Sequence, residues 1–208
     1  MPIVTRTLNF TRRFLFWFLS IGVALASVRY LFLGMEAAFP NMLHQLDAQR
    51  LAFYAHVIAG PIAMVIVPFQ FWGKLRTRRP YVHRWLGRTY ALMILIAGLS
   101  GLVIALNTNA GAFAATGFFI LGLLWLWSTA QAVLHARAGR IAQHKDWMIR
   151  SAALTFAGVT LRLWLAGSIV QGIPFETAYP LIAWLCWVPN LVIAEYLVRK
   201  KPRRVVVA

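Results

Sequence analysis

An arginine, Arg162, stands inside a long apolar stretch of this 208-residue chain, and steps of four, three, four, three and four residues lead back from it through Gly158, Thr155, Ser151 and Met148 to His144. At 3.6 residues per turn these six positions fall on one helix face. The face is polar or small, while Leu154, Phe156, Leu161, Leu163 and Trp164 fill much of the remainder, so the stripe is expected to line a protein interior. A guanidinium near the centre of a bilayer costs about 2.5 to 3.5 kcal/mol, so Arg162 should meet a carboxylate, carbonyls, water or an anionic ligand. His56 falls at a similar depth in another stretch, and His56 with Arg162 would form a pocket in the outward half for an anion or a polar lipid headgroup. The alternative for Ser151 and Thr155 is close packing, with the hydroxyls bonded to their own helix.

Histidines form the second set. His83, His135 and His144 all fall at the same boundary of the apolar stretches, and His44 lies in a connector. Neutral imidazoles approaching from opposite sides are what an axially ligated haem iron requires. Solvated interfacial histidines would leave the same pattern. Asp146 could join the trio around a metal, yet the tight spacing of a preformed zinc site is missing. There is no Cys-x-x-Cys-His or His-Glu-x-x-His motif, no phosphate loop and no dinucleotide fingerprint. Ser100, Ser128 and Ser151 have no His-and-acid arrangement nearby, which argues against hydrolysis.

The elements that must position these residues are membrane spans. Hydrophobic residues make up 61% of the chain and charged ones only 12%, which excludes an ordinary soluble domain. Six runs are long enough to cross a hydrocarbon core: Phe14–Gly34, Leu51–Trp72, Trp85–Leu106, Phe113–His135, Trp147–Gln171 and Ala178–Val198. The expected fold is therefore an all-α polytopic membrane helix bundle, a single domain over residues 1–208. Its connectors are short and carry breakers such as Pro40, Pro80, Gly139, Gly172 to Pro174 and Tyr179-Pro180.

Charge orients the bundle. Eighteen of the 21 Lys and Arg flank alternate ends of the spans, and Glu36, Asp47 and Glu176 fall in the opposite connectors. Because cationic span ends stay on the cytoplasmic side, both termini are expected there. The net charge of +16 thus reflects orientation and attraction to anionic lipid, and nucleic acid is not an expected partner. Arg12-Arg13 and Ala24-Leu25-Ala26 imitate a cleavable signal, but the apolar run continues to Gly34, as an anchor would. The single cysteine, Cys186, lies within a run and can form no disulfide inside one chain.

His56, Gly60-Pro61, Phe69-Gln70-Phe71, the run His83-Arg84-Trp85-Leu86-Gly87-Arg88-Thr89-Tyr90, the run His144-Lys145-Asp146-Trp147-Met148-Ile149-Arg150 and Thr160-Leu161-Arg162 together resemble a known group. They are similar to the bacterial membrane proteins gathered as domain-of-unknown-function family 2306, over roughly Leu51 to Gln171. The resemblance implies a bacterial cytoplasmic (inner) membrane protein. More distantly, histidines at the ends of antiparallel spans resemble transmembrane b-type cytochromes and ferric reductases, which hold haem between helices. That resemblance implies haem b on His83 and His144, with Arg84, Arg88 or Arg150 meeting the propionates and His135 as an alternative ligand. It supports no second, outer haem.

Three functions follow as expectations. One is haem-based electron transfer with a quinone or other redox partner. Another is a transporter or ligand-binding membrane protein whose pocket is built on His56 and Arg162. The last is a structural or assembly subunit packed through small residues such as Ala97 and Gly101.

Overall fold

The structure, a computed structural model, describes residues 3–200, with side chains from residue 10 onward. The side chains of Arg6, Lys201, Arg203 and Arg204, used above to orient the chain, lie outside the described residues. Among the described residues all regular structure is helical, and six helical stretches are long and apolar enough to cross a membrane.

The first stretch is α1 (Ile3–Ser27), continued by the short α2 (Tyr30–Leu33). A connector of α3 (Met35–Ala38), a 3-10 turn (Pro40–Met42) and α4 (Leu43–Ala48) leads to α5 (Arg50–Gln70). After α6 (Gly73–Arg78) come α7 (Pro80–Leu106) and α8 (Gly111–Arg137). The fifth stretch is divided into α9 (Ile141–Thr155) and α10 (Ala157–Val170), and the sixth into α11 (Phe175–Leu185) and α12 (Val188–Arg199).

Local chemistry explains the boundaries. Pro80 starts α7 at its first helical position, where a missing N–H costs nothing. The helix therefore takes in His83 and Arg84, which the hydropathy pattern leaves before the span. His144 likewise lies inside α9. Tyr179-Pro180, expected as a connector, lies inside α11, with the proline in the middle of the helix. Gly139 and Gly172 end α8 and α10 with positive φ values of 70° and 68°, which a side chain would resist.

Prolines act differently at two places. α5 runs unbroken through Pro61 and Pro68, although each removes one backbone donor. The sixth stretch breaks at Cys186-Trp187, because Pro189 cannot bond the carbonyl one turn earlier. Asn190 compensates: its Nδ2 donates to the Cys186 carbonyl (3.0 Å), to Thr160 Oγ1 (2.9 Å) and to the Ala153 carbonyl (3.3 Å). Thr160 in turn donates to the Phe156 carbonyl at 3.1 Å, where the helix of the fifth stretch is interrupted. One amide thus joins both interruptions.

Packing runs α5 on α7, α7 on α8 and α8 on α9, while α1 packs on α5 and α11 lies against α8 and α10. The shared core is rich in alanine, including Ala59, Ala63, Ala97, Ala152 and Ala157, which lets the backbones approach closely. Large apolar side chains cover the outside, with Phe32 and Leu51 more than four-fifths exposed. Such a surface suits acyl chains better than water.

Candidate functional site

His56 sits two turns into α5 and Arg162 on α10, and the two side chains line one cavity of about 360 Å³. His56 lies in the first third of α5, and Arg162 is eight residues before the end of α10 at the same face of the bundle. They are near enough to interact electrostatically. Nδ1 of His56 donates to the Ala97 carbonyl of α7 at 2.8 Å. A carbonyl can only accept, so the proton sits on Nδ1, and in the neutral ring Nε2 carries the lone pair. Gly101 makes this placement possible, since a Cβ there would lie 3.1 Å from Nδ1.

Arg162 donates from Nη1 to the carbonyl of Gly158, one turn back, at 2.7 Å. Gly158 is needed for its neighbours as well: a Cβ at that position would fall 2.6 Å from the methyl of Met64 and 3.6 Å from the guanidinium. Among the described residues no Asp or Glu lines the cavity. The second cation of the lining is Arg29, at the rim, which donates to the Ala38 carbonyl (2.5 Å) and lies over the Phe39 ring at 5.2 Å. In the fold it fastens the first connector across the cavity.

Gln45 completes that fastening, and nothing in its sequence context marks it. Its Nε2 donates to the carbonyls of Asn107 (2.6 Å) and Ile104 (3.2 Å) and lies 3.1 Å from His44 Nε2. With the amide so oriented, Oε1 is buried without a partner. A second cavity of about 310 Å³ adjoins the first through Asn41, Met42, Thr108, Phe175 and Tyr179 and adds His44 and Glu176.

Behind Trp125 and Thr155, which line the main cavity, runs a chain of buried hydroxyls. Thr155 Oγ1 accepts from Trp125 Nε1 at 2.9 Å and contacts Tyr90 OH at 2.7 Å. Tyr90 OH reaches Ser151 Oγ at 3.0 Å, and Ser151 reaches Thr129 Oγ1 at 2.7 Å. The stripe on α9 therefore faces inward, with Ser151 and Thr155 buried. Thr155 also donates to its own helix at Ser151 O, 2.9 Å, so both readings of that hydroxyl hold at once.

At the basic end, His83 on α7 lies within electrostatic reach of His144 on α9 and of Arg76 on α6. His144 Nδ1 donates to the Ala132 carbonyl of α8 at 2.8 Å, which leaves its Nε2 as the acceptor. The Nδ1 atoms of His83 and His135 are buried without partners. The three histidines do not converge on one point: among the described residues no group of three or more His, Cys, Asp or Glu is placed to hold a metal ion. Arg150 is occupied by Glu195 through two hydrogen bonds, 2.5 and 3.0 Å, and stacks over Trp147. Arg88 lies over Trp85, and Arg84 is exposed.

Residues 53–198 match the family model described as a predicted membrane protein, DUF2306. The chain belongs to that family. The match takes in both histidine-led runs, the cavity residues His56 and Arg162, and both interrupted spans, so the DUF2306 region contains most of the candidate site. It excludes α1 and the first connector, which supply Arg29 and Gln45. No curated protein and no solved structure matches the chain.

Proposed function

We infer that the protein is an integral membrane protein that holds a small amphipathic anion in the cavity between α5, α7 and α10. The observation that carries this reading is Arg162, a cation lining a mainly apolar cavity that, among the described residues, no carboxylate lines. Arg162 is half-buried, and a charge withdrawn from water without a counter-ion is costly; an anionic group on a ligand would offset that cost by charge-assisted hydrogen bonds. With the basic connectors on the cytoplasmic side, as the charge rule expects, the cavity would lie in the outer half of a bacterial inner membrane. Passage of the ligand across the bilayer would use the interruptions at Phe156 and Cys186-Trp187, where half-helices can tilt about Asn190.

The test is calorimetric titration of sodium octanoate into the protein in lipid nanodiscs, with empty nanodiscs subtracted. Saturable binding that Arg162→Gln weakens at least tenfold is expected, and octanol should not compete. Equal binding by the two proteins would defeat the reading.

A second reading is favoured by the pairing of His83 with His144. These imidazoles come from different helices, and the Nε2 of His144 is free to ligate. They would hold haem b, which would supply one-electron chemistry toward a quinone or another redox partner. Arg84 and Arg88 remain for the propionates, since Arg150 is engaged by Glu195. Oxidised and dithionite-reduced absorption spectra test this: a haem spectrum lost in His83→Ala and in His144→Ala supports it. A colourless protein from haem-replete cells removes it.

A further inference from the structure

The cavity offers more than a positive charge. Its polar lining also includes two acceptors with no donor to meet them. Nε2 of His56 is one, because Nδ1 is committed to the Ala97 carbonyl and no bond to Nε2 is made among the described residues. Oε1 of Gln45 is the other: the residue is 1% exposed, its Nε2 is held by two carbonyls, and the oxygen has no partner. Gln45 is buried, so its unpartnered oxygen costs free energy that a bound hydroxyl or N–H would remove, whereas His56 is half-buried and its Nε2 stands open to a donor. Both residues line the same cavity as Arg162, on walls otherwise made of side chains such as Phe53, Phe118 and Leu161.

We propose that the cavity selects an amphipathic acid that also bears a hydrogen-bond donor, a hydroxy or amino acid with an apolar body, its acid group on Arg162 and its donor on His56 or Gln45. The proposal rests on the anion-binding reading above and narrows it to one chemical class. A plain fatty acid satisfies Arg162 but leaves both acceptors empty. A site with buried polar groups discriminates strongly against an analogue that leaves them unpaired.

The experiment compares 3-hydroxyoctanoate with octanoate by calorimetry on the full chain in nanodiscs. The wild-type protein should hold the hydroxy acid about tenfold more tightly, one good hydrogen bond's worth. His56→Phe and Gln45→Leu should each reduce that preference. The doubly substituted protein should bind the two acids equally, while Arg162→Gln should weaken both. The wild-type comparison needs no folded variant. Equal wild-type affinities with Arg162 dependence intact would overturn the donor requirement alone. Binding of neither acid, or binding indifferent to Arg162→Gln, would overturn the anion reading as well.

Discussion

Arg162 is held by a single carbonyl of its own helix, so its charge weighs against the stability of the ligand-free protein. Replacing buried charge with apolar bulk is often neutral or stabilising by about 1 to 4 kcal/mol. Arg162→Leu is therefore expected to raise the thermal unfolding midpoint of the ligand-free protein while abolishing octanoate binding; a lowered midpoint with binding retained would contradict this. Gly101 works through contact rather than charge. Gly101→Ala puts a methyl 3.1 Å from His56 Nδ1 and should turn the ring off the Ala97 carbonyl. The expected readout is a smaller preference for 3-hydroxyoctanoate with octanoate affinity nearly unchanged. Tyr90→Phe should destabilise by about 1 kcal/mol, because Thr155 and Ser151 each keep another partner; denaturant midpoints measure it.

Two long spans are not single helices, and what holds their interruptions together is Asn190. Asn190→Ala removes the donor to the Cys186 carbonyl, to Thr160 and to the Ala153 carbonyl. Unfolding by sodium dodecyl sulfate should show a loss of about 1 to 3 kcal/mol, and no loss would mean that packing alone sets the bend. The spans themselves are legible in the sequence because hydropathy and length decide them. Their interruptions are not. Pro180 and Pro189 look equally disruptive in the chain, yet α11 runs through Pro180 in its middle, as α5 runs through Pro61 and Pro68, whereas the helix restarts at Val188-Pro189, where a proline donor is dispensable. The inward face of α9 and α10 is legible from spacing, since depth and periodicity both point to His144, Ser151, Thr155 and Arg162. Gln45 and Arg29 are not, because their roles depend on how a connector folds back over the cavity, and no periodicity encodes that.

Taken whole, the molecule has a basic end, with the histidine pair, and an opposite end with the cavity and its adjoining vestibule. The orientation rests on charge. In a Cys186→Ser background, a membrane-impermeant thiol reagent applied from outside should label Glu176→Cys and leave Arg140→Cys unmodified; the reverse would invert the topology. The central claim, that this interior binds an acid through Arg162, is tested most directly by native mass spectrometry of protein released from nanodiscs after incubation with octanoate. One bound acid on the wild-type protein and none on Arg162→Gln is the expected result. Identical spectra for the two, whether both bare or both carrying the acid, would contradict it.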